Sequence, residues 1–110
     1  MADASDRSHL QVFITFPSRE HAEKTGENLV SQGLAACAQV IGPIKSIYLW
    51  DGNLEKSEEW LCLMKTSEAH FPILEDAVRK VHPYDVPEVV AVPLKACSES
   101  YARWMDQVLK

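Results

Sequence analysis

His82 is the residue of this sequence best suited to hold a soft cation. It stands in the run His82-Pro83-Tyr84, where a helical pattern meets a stiff turn, and a neutral imidazole is a common ligand for copper or zinc. A specific divalent site takes three or four ligands. The three cysteines, Cys37, Cys62 and Cys97, lie far apart and form no C-x-x-C, which excludes a zinc knuckle and a thioredoxin-like redox motif. Cys37 and Cys62 fall on strands expected to pair, and their thiolates would favour Cu(I). The plainer reading makes each cysteine a small buried hydrophobe. A second constellation joins charge to aromatic surface: Lys65 and Glu88 with Tyr48, Trp50 and Tyr84. Lys65 ends a strongly apolar run and Glu88 follows a proline-rich turn, and charges in apolar surroundings either pair or serve a pocket. A pocket would take a small anion or metabolite with Lys65 as counter-charge; a Lys65–Glu88 ion pair would instead fix an interface. Asp51, Glu55, Glu58 and Glu59 form an acidic run. Such a run either binds divalent cations weakly through oxygen or serves as a solvated edge that blocks aggregation. No glycine-rich phosphate cradle and no nucleophile–base pair is readable, so neither an organic cofactor nor an enzymatic activity is expected.

The elements that carry these residues follow from periodicity. Residues 10–16 alternate Leu10, Val12, Ile14 and Phe16 with a second set, a strand pattern. Ser18 is a suitable N-cap for a helix through Ala22, Leu29 and Val30 that Gly33 ends. Residues 34–50 read as extended, Asp51-Gly52-Asn53 as a hairpin turn, and residues 54–66 as a second long strand. Its run Trp60-Leu61-Cys62-Leu63-Met64 is continuously apolar, as in a strand buried on both faces. Phe71, Leu74, Val78 and Val81 mark one helix face, with Ser67 or a neighbour as cap and Pro72 confined to the first turn. A short strand over 88–94 and a last helix over 98–110, capped by Ser98 or Ser100, complete the pattern. The order β-α-β-β-α-β plus a terminal helix is the α+β, ferredoxin-like arrangement, an antiparallel sheet with a long β-hairpin and an extra C-terminal helix.

The chain has 110 residues and a net charge of −5, with 46% hydrophobic residues, which suits one domain. A short polar tail over 1–9 precedes a single domain over 10–110. No apolar run reaches the ~18–20 residues of a membrane span, and no secretory leader is read in the first residues. Dispersed cysteines fit a reducing compartment, so a cytoplasmic location is expected. The acidic balance argues against nucleic acid as a partner. One feature does not fit a lone globule. A straight strand over 36–50 would run about 50 Å at ~3.3 Å per residue, against a diameter of roughly 35 Å for this length. It must bend at Gly42-Pro43 or protrude, and a bare ribbon carrying Ile47, Tyr48, Leu49, Trp50 and Leu54 is marginal in water. A homo-oligomer in which the hairpin lies on a neighbour's sheet resolves this; a hairpin folded back over its own sheet is the alternative.

Several strings resemble the signature blocks of the CutA divalent-cation tolerance proteins. They are Leu34-Ala35-Ala36-Cys37, Ser46-Ile47-Tyr48-Leu49-Trp50-Asp51-Gly52, Lys65-Thr66 and His82-Pro83-Tyr84-Asp85-Val86-Pro87-Glu88, with Tyr101 and Trp104 later. The resemblance implies a homotrimer with PII-like architecture, hairpins packed between subunits, and a role in tolerance of copper or other divalent cations without an enzymatic activity. It further implies that Tyr48, Trp50, Lys65, Tyr84 and Glu88 line an intersubunit cleft. Members with ascribed copper ligands resemble one another in a cysteine at the end of the first strand and a His-His pair before Pro-Tyr. Here Ile14 and Val81 stand at two of those positions and only His82 carries over, so metal binding is expected to be weak. A PII-like regulatory module with a small ligand in the cleft is the alternative function.

Overall fold

The structure, a computed structural model, describes residues 9–110. They form β1 (His9–Phe16), α1 (Arg19–Ser31), β2 (Cys37–Trp50), β3 (Asn53–Ser67), α2 (Phe71–Val81), β4 (Val89–Pro93) and α3 (Glu99–Val108). The strand order is β2-β3-β1-β4, and every neighbouring pair is antiparallel. This is the ferredoxin-like topology, with α3 added. β1 opens at His9, inside the stretch expected to be tail. Its imidazole is buried and Nε2 meets Asp106 Oδ1 of α3 at 2.9 Å. The remainder of that tail, residues 1–8, lies outside the described residues.

Local chemistry sets the boundaries. Ser18 Oγ accepts the His21 N–H at 3.1 Å, and Ser98 Oγ accepts that of Tyr101 at 3.3 Å, so both serines cap their helices. Ser67 does not cap α2. The helix begins after His70, and Ser67 Oγ instead takes the His70 N–H at 3.2 Å, holding the turn ahead of it. Asp51 and Gly52 both have positive φ, 51° and 78°, as a two-residue primed turn between twisted strands demands.

The core lies between one sheet face and two helices. Val12, Ile14, Phe16, Cys62 and Met64 from the sheet pack against Ala22 and Leu29 of α1 and Leu74 and Val78 of α2. Because side chains alternate along a strand, Phe13, Leu61, Leu63, Val90 and Val92 point to the other face. α3 reaches one end of that face, through Asp106 to His9 and Tyr101 to Cys37. Val90 and Val92 remain exposed there.

The hairpin does not fold back. The molecule measures 52 × 25 × 22 Å, and its radius of gyration is 14.9 Å, above the ~13 Å of a compact chain of this length. Leu49 and Leu54, at the tip, are 70% and 65% exposed.

Candidate functional site

One extra residue in β2 decides which side chains share the hairpin's inner surface. Ile41 pairs with Leu61 and Ile44 with Glu59, so β2 advances three residues while β3 advances two. Such a bulge reverses the alternation of everything beyond it. Ser46, Tyr48 and Trp50 then stand opposite Ser57, Glu55 and Asn53, on the face of Glu59. Without the extra residue, Ile47 and Leu49 would take their place. Gly42 lies within the bulge, where a Cβ would come 2.5 Å from Trp60 Cε3. Only a residue without a side chain fits there without displacing that ring.

The result is an open cleft of about 820 Å³. Tyr48, Trp50, Glu55 and Glu59 line it from the hairpin, Tyr84, Asp85 and Glu88 from the segment before β4, and Thr15 from β1. Tyr84 Oη donates to Glu59 Oε2 at 2.9 Å, closing the cleft between segment and hairpin. Burial, and then the hydrogen bond to the Glu59 carboxylate, push the Tyr84 phenol up to about 12. Glu59 is only 6% exposed. The acidic run is therefore not uniformly a solvated edge: Asp51, Glu55 and Glu58 are exposed, but Glu59 is buried. Nothing in the string Ser57-Glu58-Glu59-Trp60 reveals this, because the side chain that meets Glu59, Tyr84, lies 25 positions later in the chain.

His82 anchors the segment that carries Tyr84. Its Nδ1 accepts the Tyr84 N–H at 3.1 Å, which places the ring proton on Nε2, and that nitrogen donates to the Thr15 carbonyl at 2.7 Å. The ring stacks on Phe16 with centroids 4.7 Å apart. Burial lowers the His82 pKa below its ordinary 6.5, partly opposed by the bond to Thr15. Both nitrogens are thus engaged within the chain, and neither offers a lone pair to a metal.

The other expected residues divide. Tyr48, Trp50, Tyr84 and Glu88 do meet in one cleft, whereas Lys65 is not among its lining residues. Lys65 pairs with Gln11 of β1, while Val89, beside Glu88, pairs with Ile14. Three residues of strand, roughly 10 Å, separate those rows. Lys65 Nζ donates to Gln39 Oε1 at 3.3 Å instead, so no Lys65–Glu88 ion pair forms within the chain. Cys37 Sγ lies 3.7 Å from Tyr101 Oη. Cys62 is fully buried in the core, and that burial pushes its thiol up to about 12. Cys97 is exposed. Among the described residues no three His, Cys, Asp or Glu side chains converge as a metal ion would require. The donors present in one chain therefore do not fit a closed divalent centre.

The sequence profile of the CutA1 divalent ion tolerance protein family matches residues 10–108. The divalent-cation tolerance protein CutA of Thermus thermophilus is 40% identical over 96 residues, covering 87% of this chain and 93% of that protein. Human protein CutA is 41% identical over 96 residues; 87% of this chain is matched but only 54% of the human one, so the chain spans about half its length. The solved structure of the Thermus thermophilus divalent cation tolerance protein (Cut A1) superimposes with a TM-score of 0.90 at 37% identity, over 93% of this chain and 99% of that one. No helix among the described residues is long and apolar enough to cross a membrane.

Proposed function

The chain belongs to the CutA1 divalent ion tolerance family, and from that premise we propose that it serves divalent-cation tolerance as a homotrimer, in the cytoplasm, by binding rather than by catalysis. The observation that carries this reading is the projecting hairpin. Ile47, Leu49, Trp50 and Leu54 all lie exposed on a two-stranded ribbon, which is marginal alone and open to pairing. Covering it with a neighbour removes both difficulties, and the exposed Val90 and Val92 on the sheet's second face extend the surface to be covered. That the copies number three follows the resemblance of the signature strings, not the geometry of one chain. Three free cysteines, with no disulfide among them, agree with a reducing compartment.

Copper or another divalent cation meets each chain only weakly on this reading. The residue with the strongest claim to bind it, His82, has both nitrogens committed to Thr15 and Tyr84, and among the described residues no three His, Cys, Asp or Glu side chains converge to form a set. Native mass spectrometry of the purified protein tests assembly and cargo together. The expected mass is that of three 12.4 kDa chains, and calorimetric copper titration of the metal-free protein is expected to give affinity weaker than micromolar. A monomer sinks the assembly. Submicromolar affinity abolished by His82→Ala sinks the account of the metal.

A further inference from the structure

The long hairpin meets the body at a joint that its backbone alone does not stiffen. β1 accompanies β3 only as far as Phe16, which pairs with Trp60. From Glu59 to the turn, β2 is the one strand beside β3 among the described residues. At the same level Gly42 and Pro43 stand outside the pairing, between Ile41 opposite Leu61 and Ile44 opposite Glu59, and a proline has no N–H to give to a ladder. A two-stranded ladder bends where it is interrupted in this way. The arm beyond the joint, residues 44–59, reaches about 20 Å from Glu59 to its tip. A swing of about 10° at the joint would carry that tip about 3.5 Å, and a gap of about 0.5–1 Å already forfeits much of a packing contact. Leu49 and Leu54, exposed side chains that a neighbour would have to receive, sit at the tip.

One hydrogen bond spans the joint. Glu59, the residue of β3 just past Trp60 on the arm side, accepts from Tyr84 Oη through Oε2. Among the described residues it is the one side-chain hydrogen bond that ties residues 44–59 to the body. The bonds Tyr48–Ser57 and Asn53–Asp51 stay within the arm, and no charged residue of the arm enters an ion pair. Tyr84 is itself fixed to the body. His82 Nδ1 accepts its N–H, His82 Nε2 donates to the Thr15 carbonyl near the end of β1, and the His82 and Tyr84 rings lie 4.9 Å apart. The path from body to arm therefore runs through Thr15, His82, Tyr84 and Glu59. Because Glu59 is buried, its carboxylate without the Tyr84 hydroxyl would be left with no partner from that segment, which is costly. It recovers water by moving off the segment, and at the joint that movement is a swing of the arm.

We propose that the Tyr84–Glu59 hydrogen bond is a latch that holds the arm in the pose a second copy of the chain receives, so that opening it weakens assembly without unfolding the body. The inference rests on the homo-oligomer of the proposed function, and the test separates the two. Tyr84→Phe removes only the hydroxyl and keeps the ring beside His82; Glu59→Gln keeps an oxygen to accept that hydroxyl. The full chain and each variant are compared by hydrogen exchange at high protein concentration and by native mass spectrometry over a dilution series. Tyr84→Phe should speed exchange about fivefold or more at the amides of residues 44–46 and 57–59 and leave those of β1 unchanged. It should also shift dissociation to protein concentrations about tenfold higher or more. Glu59→Gln should stay within about threefold of the native protein on both scales. Unchanged exchange at the joint in Tyr84→Phe would overturn the proposal, and so would faster exchange with assembly untouched. Glu59→Gln departing as far as Tyr84→Phe would also overturn it, since the charge and not the bond would then hold the arm. A native protein that stays monomeric at every concentration would instead overturn the trimer and with it the docking half of the proposal, while exchange in that monomer decides whether the bond holds the arm.

Discussion

Gly42→Ala tests how the cleft is built. A methyl group at residue 42 would stand 2.5 Å from Cε3 and 2.7 Å from Cδ2 of Trp60, and 3.2 Å from its Cα. The ring has little freedom to give way: it packs against the core on one side, and the Arg19 guanidinium lies 5.0 Å from its centroid on another. The third contact is backbone, so relieving it means parting the strands. Overpacking of this kind costs about 1–3 kcal/mol. Against it, alanine narrows the unfolded ensemble and contributes about 0.4–1 kcal/mol where the native backbone suits it, as it does here because Gly42 is not among the positive-φ glycines. The net expectation is a loss of about 1–2 kcal/mol. With a urea slope of about 2 kcal/mol per molar, the unfolding midpoint at fixed protein concentration should fall by about 0.5–1 M. Gly52 supplies the contrast. Nothing lies within 4 Å of a Cβ there, but its φ is +78°, so Gly52→Ala is destabilising through the backbone alone and Gly52→Asn recovers most of the loss. Gly42→Asn should recover nothing and be worse than Gly42→Ala. An unchanged midpoint for Gly42→Ala would refute the reasoning, since Trp60 would then be free to swing aside.

Two further outcomes follow from titratable groups. Because burial holds His82 below its ordinary 6.5 in the fold, the unfolded chain binds more protons than the folded one as pH falls past that value. The stabilising contribution of His82 is therefore complete above about pH 6.5 and is lost as pH falls toward the folded pKa. Its Nδ1 would then carry a proton against the Tyr84 N–H. The stability advantage of the native protein over His82→Gln, measured by urea unfolding, should shrink steadily between about pH 7 and 5; a constant gap contradicts the hydrogen-bond assignment. Thiol labelling at about pH 8 without denaturant should modify Cys97 first and leave Cys62 untouched, because Cys62 is fully buried and its thiol is pushed up to about 12. Rapid labelling of Cys62 would mean that the sheet opens at β3.

Much of the fold was legible because its signals are local. Ser18, Ser98 and the pair Asp51-Gly52 each announce a helix start or a turn within a few residues, and Leu74 and Val78 declare the buried face of α2 by spacing alone. Ser67 misleads because its hydroxyl has a nearer use, the His70 N–H. The site was half legible. Tyr48, Trp50, Tyr84 and Glu88, expected in a cleft between subunits, line one cleft of the single chain, but Lys65 belongs to another row of the sheet and it is Glu59 that meets Tyr84. No string could disclose this, because register is a property of two strands at once. His82 illustrates the same limit: its partner carbonyl on Thr15 is 67 residues away, and only the folded chain shows that the imidazole is committed to holding a turn.

The bulge at Gly42 has a consequence for how this protein can change length. Beyond it, every side chain of β2 takes its side of the ribbon by counting from Ile44 opposite Glu59. A single codon gained or lost between there and the Asp51-Gly52 turn would exchange Tyr48 and Trp50 for Ile47 and Leu49 on the surface that meets Glu59, without altering any residue's chemistry. Two codons would leave the pattern intact and merely lengthen or shorten the arm. Insertions and deletions tolerated in that stretch should therefore be even in number, or be matched by a second shift that restores the parity.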